Sequence, residues 1–339
     1  MRTPYIAAAA LGFALAGCAM GADHGSTGLP HGEAASSNRS PLSVLPTPRP
    51  SVLYYADNAN TAYAVSQGAS GATLPARTIY PTSLYPAQIV GLATLADGRL
   101  AIAQDQFKTS TVRQCRIVIE PSNANGSPYV QNDWCSPNES TVPVAVARNN
   151  FGGVDVLYNN ISQMSEPLLR FAGDGTQLSI LQPATNSEVL ATDVSGNDFI
   201  VGHQTPTLHV IEYGPLATNP ANTLADFAVP LGNNAWGAAV APDSTLYLIN
   251  NEFPNQTIVA IVGNAVTRTI GPFPNRHVSS IAVDAVGNLY AAMNPADTTT
   301  VPIIRVYAPD ANGKPAPLRV ITPHITGNGT AIMAITTDN

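Results

Sequence analysis

SVLYYADN (Ser51–Asn58) and TAIMAITTDN (Thr330–Asn339) decide the fold between them. The first is an apolar strand running into a polar turn. The second is an apolar strand followed by half a turn, at the opposite end of the chain. Elsewhere the same two pieces occur joined: IAVDAVGNLYAAM (Ile281–Met293) reads strand, Gly-Asn turn, strand, which is a hairpin. GLATLADGRLAIAQ from Gly91, VLATDVSGNDFIVGH from Val189 and GAAVAPDSTLYLINN from Gly237 repeat the pattern, and VAVARNNFGGVDVLYNN from Val144 is a looser copy. The terminal stretches are therefore the separated halves of a sixth hairpin.

Each hairpin is followed by a second pair of strands. IIRVYAPDANGKPAPLRVI (Ile303–Ile321) and AYAVSQGASGATLPARTI (Ala62–Ile79) share a Tyr, an Ala/Ser-x-Gly turn and a Pro-x-Arg-x-Ile ending. Shorter equivalents start at Leu168, His209 and Thr257. Residues 50–339 divided into six units give about 48 residues each, the size of a four-stranded propeller blade. The sequence thus predicts an all-β, six-bladed β-propeller with four antiparallel strands per blade, closed by pairing the C-terminal strand with the N-terminal ones. Closure of this kind removes the open sheet edges that template aggregation. The first strands are rich in small residues (Ala93, Ala145, Ala147, Ala191, Ala238, Ala239, Ala282, Ala331), as six strands converging on a narrow axis require.

Composition agrees with a repeat of short strands. Charged residues make up 11%, and 26 Gly and 29 Pro punctuate the chain too often for long amphipathic helices. A net charge of -7 supplies no basic surface to neutralise phosphates, so nucleic acid is excluded as the main partner.

The first 18 residues read as an export signal: Arg2, an apolar run from Tyr5 to Ala16, then Leu15-Ala16-Gly17-Cys18. This resembles a bacterial lipobox, which implies acylation of Cys18 and attachment to the outer membrane or cell surface. Residues 19–49 are Gly, Ser, Ala, Pro and Asn with few large apolar side chains, so they are expected to be a disordered tether reaching about 30 Å. Residues 50–339 form the propeller. Three cysteines suit an exported chain if Cys18 takes lipid and Cys115 pairs with Cys135. That bridge closes a loop worth about 3 kcal/mol in the chain-entropy account.

The whole of residues 50–339 resembles the NHL-like six-bladed propellers through its GNLY turns and ANG-x-x-x-P-x-R-x-I spacers. Those motifs carry architecture and no chemistry. In such an arrangement the residues closing each second strand gather at one channel mouth, giving Asn58, Asp105, Asn160, His203, Asn251 and Asn294 as candidate ligand contacts. Trp236 joins them as a stacking surface, and Glu188 with His277 is the candidate acid/base pair. Gluconolactonase-like hydrolases hold a divalent cation in such a channel, and an oxygen-rich ring suits Ca²⁺. Their Asn-Gly and Ser-Pro-Asp-Gly markers have only Ala241-Pro242-Asp243-Ser244 as a counterpart here. The sequence therefore favours a monomeric, cofactor-free binding scaffold for a protein, peptide or glycan. A metal-dependent lactonase or esterase, or a structural envelope lipoprotein, is the alternative.

Overall fold

Six sheets follow one another along the chain, and the last strand completes the first sheet. The computed structural model describes residues 51–338 apart from 82, 84, 110–111, 128–131, 135–140, 161–166, 184–185, 205–206, 232–234, 253, 298–299 and 326–330. Blade 1 is built from Ile332–Thr337, Val52–Asp57, Ala62–Ser66 and Arg77–Ile79, in that order from the axis outward. The inner strands of blades 2 to 6 are Ala87–Thr94, Thr141–Arg148, Asn186–Thr192, Ala235–Val240 and Arg276–Val283. Each inner strand touches those of both neighbours, blade 1 lying against blades 2 and 6, so the ring closes. Among the described residues no helix is long and apolar enough to cross a membrane.

The closing pair has the expected register: Leu53 lies opposite Thr337 and Tyr55 opposite Ile335. Ile332 and Ile335 are buried with Leu53, Tyr55, Tyr63 and Tyr290 in one cluster between blades 1 and 6. The middle strands are buried on both faces, residue after residue, as stacking each blade between two others demands. Inner hairpins share one turn chemistry. Asp193 Oδ1 accepts from the amides of Ser195 and Asn197 at 2.8 and 2.9 Å, and Asp284 does the same for Val286 and Asn288 at 3.1 and 2.8 Å. Gly196 sits at φ +82°, and a Cβ there would meet the Asn150 side chain at 2.5 Å, so glycine is required.

One blade departs from the four-strand expectation. Gly71–Thr73, in the turn before the outer strand of blade 1, pairs in parallel with the outer strand of blade 6 and makes it five-stranded. The cause is a joint that recurs. At blades 5 and 6 the Gly313 amide donates to Thr269 O at 2.7 Å and Gly271 N to Gly313 O at 2.8 Å. Gly126 grips Thr78 and Tyr80 in the same way at blades 1 and 2. The Arg of each Arg-x-Ile ending completes the clasp: Arg77, Arg268 and Arg319 donate to Ser122 O, Pro309 O and Gln67 O of the adjoining blade. The same three guanidiniums bond the hydroxyls of Tyr54, Tyr247 and Tyr290. The spacers read as architecture in the sequence are the bolts between blades.

Blades 3 and 4 are joined differently. Arg170 is fully buried, with Nη2 2.5 Å from Asp198 Oδ2 and Nε 3.6 Å from Asp155 Oδ2. Its Nη1 donates to Ala217 O at 2.5 Å. Thr192 Oγ1 donates to Asp198, and Asn149 Nδ2 to Asp155. Burial raises both carboxyls above the usual carboxylate range, and at Asp155 the neighbouring Asp198 charge raises it further.

Glu120 is a further buried carboxyl, on the same face of its strand as Val118, which packs against blade 1. Among the described residues neither oxygen has a hydrogen-bond partner, and burial pushes the group up to about 7 against the pull of Arg116. The folded protein therefore holds this proton to higher pH than the unfolded chain, whose carboxyl titrates near 4.5. Stability is expected to fall by up to about 3 kcal/mol as pH rises from about 4.5 to about 7. Urea midpoints at pH 5 and pH 8 check this. Glu120→Gln should show a flatter pH dependence than the native chain, and an unchanged slope would contradict it.

Candidate functional site

The inner strands all run in the same direction and enclose an axial cavity of about 650 Å³. At the end where they begin, each blade makes the same local departure from its ladder. One extra residue interrupts the pairing of the first and second strands: Met333 in blade 1, Val90 in blade 2, Val144 in blade 3, Glu188 in blade 4 and Ser279 in blade 6. In blade 5 the interruption holds Trp236 and Gly237. A bulge leaves its extra residue out of the ladder and re-aims the side chain, and all of these residues line the cavity. The channel thus has a collar of bulged residues, apolar except for Glu188 and Ser279, with the indole of Trp236 beside them.

Glu188 and Trp236 are neighbours in this collar. Glu188 Oε2 accepts from the Ala235 amide at 3.2 Å, which fixes the carboxylate at the foot of the tryptophan. Trp236 is 54% exposed, whereas the other tryptophan, Trp134, is buried against Phe171 between blades 2 and 3. Gly237 allows the close packing here, since a Cβ would meet Ile249 Cδ1 at 2.9 Å.

The second-strand ends expected to form a ligand ring serve mainly to hold strands. Asn294 grips Ile332 both ways, donating to its carbonyl at 2.8 Å and accepting from its amide at 2.7 Å, which ties blade 6 to blade 1. Asn58 holds Ala331 within blade 1, its backbone amide donating to the Ala331 carbonyl at 3.1 Å and its Oδ1 accepting from the Ala331 amide at 3.3 Å. Asn251 accepts from Gln256, whose Oε1 accepts from the Val278 amide at 2.7 Å, tying blade 5 to blade 6. Asp105 is buried and ion-paired with Arg113 across its own hairpin. Asn160 and His203 end the second strands of blades 3 and 4, opposite Thr141 and Asn186, and their side chains lie outside the described residues. His277 stands opposite Asn294 in blade 6, with blade 5 between it and Glu188. Cys115 is buried in blade 2, while Cys18 and Cys135 lie outside the described residues.

Of the expected residues, then, the collar unites Glu188 and Trp236. Val90, Val144, Ser279 and Met333 were not expected there. Their signal in the sequence is a slip in the strand alternation, as in Gln88-Ile89-Val90-Gly91, where consecutive apolar residues break the period of two. Among the described residues no three His, Cys, Asp or Glu side chains come together as a metal site. With one carboxylate and no second oxygen donor of that strength, the collar does not fit a Ca²⁺ ion, which takes six to eight oxygen ligands.

The sequence matches no protein-family profile and no curated protein. Solved structures resemble it in fold. A protein of unknown function from Bacteroides caccae superposes with a TM-score of 0.61 at 11% identity, covering 85% of this chain and 98% of that one. One from Dyadobacter fermentans gives 0.50 at 11% identity, over 67% of this chain and 80% of the other. A luciferin-regenerating enzyme gives 0.50 at 11% identity, over 80% and 91%. At such identities the likeness is one of architecture.

Proposed function

We propose that the chain is an exported, lipid-anchored scaffold that binds a protein or peptide by taking one of its basic side chains into the channel mouth. The collar carries this reading: a single carboxylate beside an exposed indole, in a ring otherwise built from valine, methionine, glycine and serine. A lysine or arginine has an aliphatic stem suited to Val90, Val144 and Met333, and a cation suited to Glu188 and to the face of Trp236. The net charge of -7 favours encounter with a basic partner.

Tryptophan emission reads the site directly, because one of the two indoles is buried and the other is at the mouth. Titration with lysine- and arginine-containing peptides should shift the emission of Trp236, whereas neutral sugars should leave it unchanged. Glu188→Gln keeps an acceptor for the Ala235 amide and should weaken the peptide about tenfold, and Trp236→Ala by a similar factor. Equal binding by the native chain and both variants would refute the assignment.

For the address, we propose that Cys18 is acylated and that Cys115 and Cys135 are bridged. Three cysteines suit an exported chain in which one takes lipid and the other two pair. Non-reducing mass analysis of the membrane-extracted protein should find a diacyl or triacyl group on residue 18 and one linked peptide holding 115 and 135. A free thiol at any of the three would contradict this.

A further inference from the structure

The face opposite the collar is where the first and second strands of each blade are joined, and it is also where the folded chain begins. Val52 pairs with Ser66, the Gln67 amide donates to Ser51 O at 3.0 Å and the Asp338 amide to Val52 O at 2.9 Å, which puts the start of blade 1 level with these turns. Several turns on this face carry a large exposed apolar side chain. Val194 and Val286 top inner hairpins at 74% and 75% exposure, and Phe151 tops a third. Leu216 and Val262 stand on the outer turns of blades 4 and 5, at 60% and 49% exposure. The tips are held rigidly, since the Asp193 and Asp284 side chains bond the amides of their own turns. Large side chains at the ends of stiff, short hairpins, around one rim, are what an interfacial anchor presents.

We propose that this rim rests on a lipid bilayer, with Phe151, Val194, Leu216, Val262 and Val286 entering the headgroup boundary while the collar faces away. The proposal rests on the lipid-anchor reading for its occupant: 33 residues separate Cys18 from the first strand residue at about 30 Å of reach, and Val52 starts its strand on this same face. A tether entering there brings the rim, rather than the collar, toward the membrane. The face carries both signs of charge, with Asp97, Asp243 and Asp310 on turns and Arg77, Arg268 and Lys314 beside them, which suits a zwitterionic headgroup layer. The orientation leaves the channel mouth open to a soluble partner.

The test places a fluorophore on the full chain at Val286→Cys or, on the opposite face, at Val301→Cys, with the lipidated protein on phosphatidylcholine vesicles. The label at 286 should be quenched by a lipid-borne quencher and shielded from aqueous iodide, and the label at 301 should behave in reverse. Serine at 194, 216, 262 and 286 together, with the label moved to Phe151→Cys, should abolish the lipid quenching without altering the Trp236 emission. A second arm uses full-length Cys18→Ser carrying an N-terminal histidine tag on vesicles that contain a nickel-chelating lipid. The asymmetry in the tagged arm together with an unacylated Cys18 in the native chain refutes the natural anchor while upholding the docking face. Equal quenching at 286 and 301 in both arms overturns the docking face whatever the state of Cys18.

Discussion

Arg170→Met is expected to cost about 3 to 5 kcal/mol at pH 7, because it leaves Asp155 and Asp198 facing one another without a counter-charge in a fully buried joint. The loss should shrink toward pH 5. Both carboxyls already titrate above the usual range, so removing the guanidinium raises them further and a modest fall in pH neutralises the pair. In the native chain the same raised values make stability fall as pH climbs from the ordinary carboxylate range through them. Arg170→Met combined with Asp155→Asn and Asp198→Asn should recover most of the lost stability at pH 7, since no buried charge then remains. Urea denaturation of the three proteins decides the matter, and a cost below about 1 kcal/mol for Arg170→Met would show that the network is not the bolt between blades 3 and 4.

The other large effect is expected at the seam. A chain ending at residue 330 loses the inner strand of blade 1, exposing Tyr55 and Leu53 and removing the buried Ile332 and Ile335. Each of those isoleucines contributes about 1.5 to 3 kcal/mol of burial, and the neighbouring strand loses its ladder as well. Against a typical domain stability of about 5 to 15 kcal/mol, this is enough to abolish cooperative unfolding. A synthetic peptide of residues 330–339 should restore a transition, because the vacated strand position is specified by Tyr55 opposite Ile335 and by the grip of Asn294 on Ile332. Asn294→Ala in the intact chain is the milder test, expected to cost about 1 to 3 kcal/mol. Native-like melting of the truncated chain without peptide would contradict the closure.

The architecture was legible because it repeats. Five joined hairpins and one split across the termini require a ring, and the small residues of the first strands match their convergence on the axis. The fifth strand of blade 6 was hidden in Gly71–Thr73, three residues that take their pairing from the adjoining blade rather than from their own alternation. The site was less legible for a related reason. Polar residues at the second-strand ends look alike whether they meet a ligand or a backbone, and Asn58, Asn251 and Asn294 are engaged with strands and their tethers. The collar depends on register slips of a single residue, which turn Val90, Val144, Ser279 and Met333 toward the axis only when the partner strand is known. Arg170 gave no signal, since its two carboxylate partners stand on strands 15 and 28 residues away in sequence, on two different blades.

Native-state hydrogen exchange followed by mass spectrometry tests the ring most directly. The amides of residues 333–337 and 53–57 should exchange together, at the slow rate of the central strand Leu100–Phe107, because both are released only by opening the whole propeller. Complete exchange of 333–337 within seconds, while residues 100–107 stay protected, would mean that the two ends of the chain do not share a blade.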